Sequence, residues 1–132
     1  MSVATILIAD DSTEVFDSLN AALSPHYWLT YALNGAVALK LARLLRPELI
    51  ISEVALRVLD GIELLREVRR DPEISGTPVI LWSAYHRPPE IRDFAKGCDP
   101  VVVLDKSSDL QDLFAIANHL LDSKEADRSR VS

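Results

Sequence analysis

The sequence has one cysteine, few glycines and fewer basic than acidic residues. Cys98 has no second cysteine to pair with, so we expect a reducing, cytoplasmic location. The four glycines form no Gly-rich phosphate-binding loop. The net charge of −6, from 14 basic and 20 acidic residues, argues against nucleic acid or an anionic membrane as the primary partner. No apolar run approaches the roughly 20 residues of a membrane span, and the N-terminus lacks the features of a secretory signal.

The chain alternates short apolar runs with segments of helical periodicity five times. This order predicts an α/β fold, a doubly wound parallel five-stranded sheet with helices on both faces. A length of 132 residues, 48% of them hydrophobic, suits one domain, which we place at residues 1–122. Residues 123–132 are polar without periodicity and are predicted to be a loose tail or linker. The predicted strands are residues 3–9, 27–33, 48–53, 78–83 and 101–104.

Helix starts are indicated by capping residues and a proline. Asp11 or Ser12 can cap the first helix, and Glu14 stands where a capping box places an acid. Asn34 belongs to a turn that caps the second helix, and Pro89 suits the first position of a short fourth helix.

Polar side chains follow four of the predicted strands. Asp10 and Asp11 follow the first strand, Glu53 the third, Ser83 the fourth and Lys106 the fifth. The carboxyl ends of parallel strands meet at one edge, where open α/β sheets place their sites. Carboxylates are ligands for Mg²⁺, and a lysine with a hydroxyl can hold phosphoryl oxygens. Each residue alone is more often a cap, a turn residue or a solvated charge, so the hypothesis depends on their joint occurrence.

The histidines and tryptophans show no pattern of a ligand site. His26, His86 and His119 are far apart and lack metal-ligand spacing. Trp28 and Trp82 lie in predicted strands, where packing is the expected role. Trp82 precedes Ser83, so it is expected to report on the site by fluorescence.

These motifs, together with the segments PELIISEVALRVLDG and PVILWSA, resemble the receiver domain of two-component response regulators over about residues 3–122. The resemblance implies a flavodoxin-like (βα)5 fold with strand order 2-1-3-4-5. It also implies signalling partners, such as a histidine kinase, an effector or another regulator. Their docking face corresponds to about residues 89–122, and two-fold self-association through this face is expected as well.

Several residues depart from the family pattern. Glu53 stands at the phosphoacceptor-equivalent position, one methylene longer than aspartate, so its carboxylate is expected to reach Lys106 in place of a phosphoryl group. Ser83 matches the switch hydroxyl, but Val103 takes the position of the switch aromatic. Ser107 replaces the proline after the lysine, and because a cis bond before serine costs roughly 3 kcal/mol, we expect a trans bond there.

Two functions follow from these observations. The preferred hypothesis is a non-enzymatic receiver-like module that acts by protein–protein contact without phosphorylation and requires no cofactor. The alternative is a Mg²⁺-dependent phosphoryl-transfer or phosphatase site built from Asp10, Asp11, Glu53 and Lys106. A vestigial, weak Mg²⁺ site at Asp10, Asp11 and Glu53 is an intermediate possibility.

Overall fold

The computed structural model describes residues 3–24, 26–84, 88–107 and 110–131. Five strands alternate with five helices in these ranges. They are β1 (Thr5–Ala9), α1 (Thr13–Leu23), β2 (Trp28–Ala32), α2 (Gly35–Leu45), β3 (Leu49–Ser52), α3 (Gly61–Arg70), β4 (Val79–Ser83), α4 (Pro88–Phe94), β5 (Val101–Asp105) and α5 (Leu110–Val131).

All five strands pair in parallel, in the order β2-β1-β3-β4-β5. The predicted flavodoxin-like doubly wound sheet is therefore confirmed. β1, β3 and β4 are the inner strands, which explains why they consist almost entirely of apolar residues. Because the order reverses between β1 and β3, the carboxyl ends of these two strands flank the position where such folds bind ligands.

Each face of the sheet carries its own apolar core. Alternate residues of a strand point to opposite faces, so Ile50 belongs to one core and its neighbour Ile51 to the other. The core on the Ile50 face contains Ala38 and Ala42 of α2, Leu64, Leu65 and Val68 of α3, and Ile91 of α4. The core on the Ile51 face contains Leu19 and Leu23 of α1 and Leu113, Ala117 and Leu121 of α5.

Side-chain caps fix the starts of two helices beside the site. The Asn34 side chain accepts a hydrogen bond from Val37 N at 2.9 Å, as the turn predicted. α3 begins with a full capping box, in which Asp60 accepts from Glu63 N and Glu63 accepts from Asp60 N. The capping box predicted for α1 does not form, because that helix begins after Ser12 and its acid falls one residue too early.

α5 continues to Val131, so it includes most of the segment that was predicted as a loose tail or linker. Two further predictions were wrong. Trp28 does not pack, since it lies on an edge strand and stays 69% exposed. α4 begins at Pro88, one residue before the predicted Pro89. His86 lies outside the described residues.

Within the described residues, every helix lacks either the length or the apolarity that a membrane span requires.

Candidate functional site

Hydrogen bonds of the sheet carry three of the predicted site residues to one edge. Asp10 N donates to Ala32 O at 3.0 Å, just beyond the end of β1. Glu53 N donates to Ala9 O at 2.9 Å, just beyond the end of β3. Lys106 N donates to Ser83 O at 2.9 Å, which places the lysine beside the end of β4. The backbone ladder, rather than a flexible loop, therefore positions these side chains.

The Lys106 ammonium joins two buried carboxylates. Its Nζ lies 2.6 Å from Asp10 Oδ2 and 2.8 Å from Glu53 Oε2. The Asp10 and Glu53 side chains are only 3% and 2% exposed, and that of Lys106 is 17% exposed. Buried charges need partners of opposite sign, so these three side chains form one unit. The predicted contact between Glu53 and Lys106 is present.

The second oxygen of the Glu53 carboxylate accepts hydrogen bonds. Oε1 accepts from Ser83 Oγ at 3.2 Å and from Ala55 N at 3.2 Å. The carboxylate therefore contacts the ammonium, the hydroxyl and a backbone N–H that surround it. The Ala55 N–H was missed by sequence reasoning, because a backbone donor is present at almost every residue and leaves no sequence signal.

The pKa of Lys106 shows the balance of forces at the site. Burial lowers the pKa of the ammonium, but the hydrogen bonds and charges of Asp10 and Glu53 raise it, and the net shift is upward from 10.5. Lys106 is therefore charged at neutral pH. Its Nζ also lies 5.4 Å from the centroid of the buried Trp82 ring, a cation–π distance, so Trp82 packs beside the site as predicted.

Asp11 does not join the buried carboxylates. Its side chain is exposed, while Asp10 Oδ1 accepts from Ser12 N at 2.9 Å and Asp10 Oδ2 contacts Lys106. Among the described residues, no three His, Cys, Asp or Glu side chains are placed to share a metal ion. In this arrangement Asp11 lies apart from Asp10 and Glu53, and a weak Mg²⁺ site at these three residues stays a prediction. Lys106 takes the position beside the carboxylates that a cation would need.

Val103, at the predicted switch position, and Ser107, after the lysine, were both expected to depart from the family pattern. Val103 is 7% exposed and packs in the core on the Ile50 face. The peptide bond between Lys106 and Ser107 is trans, as predicted. Ser107 N donates to Asp105 Oδ1 at 2.8 Å, and this hydrogen bond lowers the pKa of Asp105. The loop after β5 thus has its own turn at the site.

The loop between β3 and α3 is held against the start of α2. Gly35 N donates to Arg57 O at 3.2 Å, and a Cβ at residue 35 would lie 1.7 Å from Leu59 O. Only glycine fits this approach. Val58 lies in the left-handed region with a φ of 70°, an uncommon conformation for a β-branched residue. Sequence reasoning missed both constraints on this loop.

A family model for the response regulator receiver domain matches residues 6–118. The chain belongs to the response regulator receiver domain family. Receiver domains are signalling modules of two-component systems, work with histidine kinases and effectors, and are generally non-enzymatic.

Curated relatives and solved structures agree with this membership. PilH of Pseudomonas aeruginosa is 34% identical over 80 residues, which cover 60% of this chain and 66% of PilH. Response regulator Rre1 of Synechocystis is 29% identical over 92% of this chain and 53% of Rre1. The chain thus spans about two thirds or less of these relatives. The structure of the Vibrio cholerae chemotaxis response regulator CheY4 has a TM-score of 0.81 at 25% identity, covering 90% of this chain and 99% of CheY4.

Proposed function

We propose that this receiver domain signals by protein–protein contact without taking up a phosphoryl group, and that Glu53 stands at its phosphoacceptor position. The observation that carries the proposal is the buried Glu53 carboxylate, held by Lys106 at 2.8 Å and by Ser83 at 3.2 Å. By resemblance to other receiver domains, Lys106 and Ser83 are the side chains that would hold a phosphoryl group.

Phosphoryl transfer to Glu53 would require its present contacts to break. The attacking oxygen must be free, yet Oε2 faces the ammonium, and Oε1 accepts from Ser83 and Ala55. The product would also need space in a site where the carboxylate is 2% exposed. A divalent cation that could offset the phosphoryl charge lacks a three-ligand group among the described residues. These features support phosphorylation independence.

The proposed docking face is about residues 89–122, including α4, β5 and α5. Phe94 at the end of α4 is 53% exposed, and β5 is the outer strand on this side of the sheet. A groove of about 420 Å³ lies beside β5, with Arg92, Lys96 and Val103 in its lining. We propose a histidine kinase, an effector, another regulator or a second copy of the chain as occupant, in the cytoplasm.

A Mg²⁺-dependent phosphoryl-transfer or phosphatase activity is not favoured. It would need Asp10 and Asp11 to act together with a metal ion, but Asp11 is exposed and Asp10 is paired with Lys106. The residues present therefore do not support that alternative.

Incubation with a small phosphodonor and Mg²⁺, followed by intact-protein mass spectrometry, tests the proposal. We expect no mass gain for the wild type. Glu53→Asp is the matched variant, because the shorter side chain withdraws from Lys106 and leaves room for a phosphoryl group. A stoichiometric, base-labile gain of one phosphoryl group on the wild type would overturn the proposal.

A binding comparison separates a mimic of the phosphorylated state from a silent scaffold. Pull-down of signalling proteins with wild type, Glu53→Asp and Glu53→Gln provides this comparison. A mimic depends on the Glu53 charge and should lose binding in the glutamine variant. A scaffold should bind equally well in all three forms.

A further inference from the structure

Arg69, in the last turn of α3, links two loops through its guanidinium group. Its Nε donates to Cys98 O at 2.7 Å, and its Nη2 donates to Pro100 O at 2.6 Å. Its Nη1 donates to Ser75 O at 3.1 Å and to Thr77 O at 2.6 Å. One side chain therefore connects the segment before β4 with the segment that joins α4 to β5.

The hydrogen-bond partners of Arg69 are all main-chain carbonyls. No ion pair joins Arg69 to a carboxylate in the part of the chain that the structure describes, whereas Arg70 pairs with Glu67 at 2.9 Å. Burial lowers the pKa of the Arg69 guanidinium, and the nearby Cys98 and Asp99 raise it. Since arginine keeps its charge in proteins, these four hydrogen bonds are charge-assisted.

The connector between α4 and β5, residues 95–100, is attached to the fold at its two ends. Ala95 N donates to Ile91 O of α4 at 2.9 Å, and Val79 N of β4 donates to Pro100 O at 3.1 Å. Within the connector, Cys98 N donates to Ala95 O at 3.0 Å and holds a turn. Two carbonyls of the connector accept from the Arg69 guanidinium of α3. Arg66 of α3 donates to Phe94 O, just before the connector, at 3.2 Å, and Ala95 and Cys98 pack on the core that includes α3.

We infer that Arg69 is a positioning residue that keeps this connector closed, and that the connector opens as a unit, with the sheet still folded, when the guanidinium is lost. The planar guanidinium reaches both loops at once, which the single nitrogen of lysine cannot do. Opening would displace the end of α4 and the start of β5. Arg69 thus controls the shape of the α4–β5 surface from the sheet edge opposite Lys106, independently of the role of Glu53.

The only cysteine of the chain lies in this connector and reports its opening. Cys98 is half-buried and packs against the core, so its thiol reacts with a disulfide reagent faster when the connector opens. We expect Arg69→Lys and Arg69→Gln to raise the labelling rate at least about tenfold. Arg70→Gln is the matched control, because it removes the neighbouring charge but no carbonyl hydrogen bond, and its rate should equal that of the wild type.

Arg69→Lys keeps a positive charge beside the connector but loses the planar guanidinium. Faster labelling in that variant therefore reports exposure of Cys98. Hydrogen exchange should show lost protection in residues 95–101 and retained protection in β1 and β3. Labelling within twofold of the wild type, or loss of protection across the whole sheet, would overturn the inference.

The wild type provides a second test if the Arg69 variants do not fold. Labelling of Cys98 in increasing urea should show a native-state component that depends weakly on urea, since a local opening exposes little surface. Two results would contradict the inference: a urea dependence equal to that of global unfolding, or labelling of the wild type at the rate of a free thiol.

Discussion

Lys106 Nζ and Glu53 Oε2 lie 2.8 Å apart across the end of β4, which separates the strands that carry them. Ser83, at the end of β4, contacts the same carboxylate. The ion pair therefore ties together the carboxyl ends of three adjacent strands. In a receiver domain, signalling chemistry would occur at this edge. Here the Glu53 carboxylate pairs with the Lys106 ammonium and accepts a hydrogen bond from the Ser83 hydroxyl.

Replacing Glu53 by glutamine should destabilise the protein. The amide keeps the shape but loses the ion pair with Lys106, which remains paired with Asp10. We expect a loss of about 1–3 kcal/mol in the free energy of unfolding, measured in urea. Glu67→Gln is the control, because this surface glutamate pairs with Arg70 and should cost about 1 kcal/mol or less. Equal losses in both variants would contradict the role assigned to Glu53.

Stability should fall at alkaline pH in a way that depends on Lys106. The pKa of Lys106 in the folded protein is raised above its unfolded value of 10.5. The stability that the charged lysine contributes is therefore complete below pH 10.5 and is lost as pH rises through the folded pKa. Burial also raises the pKa values of Tyr27 and Tyr31 above 10.0, which acts in the same direction. The measurement is therefore made in a background protein that carries both Tyr27→Phe and Tyr31→Phe.

In that background, the free energy of unfolding of the protein that retains Lys106 is compared with that of the variant Lys106→Met. At neutral pH the variant should be less stable by about 3–5 kcal/mol, because two buried carboxylates lose their cation. The difference should shrink as pH rises above the folded pKa of Lys106. A difference that stays constant over this range would show that the lysine charge is not involved.

Magnesium should bind weakly at best. Asp10 Oδ2 already contacts Lys106 at 2.6 Å, and Asp11 is exposed, so the ion would have to displace an internal cation. A calorimetric titration with Mg²⁺ should give no saturable heat in the micromolar range, with Asp11→Asn indistinguishable from the wild type. A micromolar dissociation constant that is lost in Asp11→Asn would refute this prediction.

Gly35→Ala should be strongly destabilising although it adds one methyl group. The new Cβ would lie 1.7 Å from Leu59 O, so α2 or the loop after β3 must move. We expect a loss above about 2 kcal/mol in urea unfolding. Gly76→Ala is the matched control, since a Cβ there meets nothing within 4 Å, and its effect should be small. Similar losses of stability in the two variants would mean that the loop after β3 moves at little energetic cost.

Much of the site could be predicted because strand ends are visible in the sequence. Apolar runs that stop at Asp10, Glu53 and Lys106 define where parallel strands end, and parallel pairing then brings those ends together. The extra methylene of glutamate predicted the contact with Lys106. The strand order came from the resemblance, since alternating strands and helices fit several orders.

Other features depend on geometry that residue types do not encode. Nothing in the sequence distinguishes Asp11, which faces solvent, from the buried Asp10. The four acceptors of Arg69 are backbone carbonyls, which every residue has, so no sequence signal marks the link that it forms between two loops. Trp28 was expected to pack because it lies in a predicted strand, but the edge position of β2 leaves it exposed.

A crystal structure of the wild-type protein grown with Mg²⁺ tests the central claim most directly. We expect Glu53 Oε2 within hydrogen-bonding distance of Lys106 Nζ and Oε1 near Ser83 Oγ, with no metal ion at Asp10. A Glu53 side chain turned away from these groups, with an open phosphate-sized cavity left among Asp10, Ser83 and Lys106, would contradict the account.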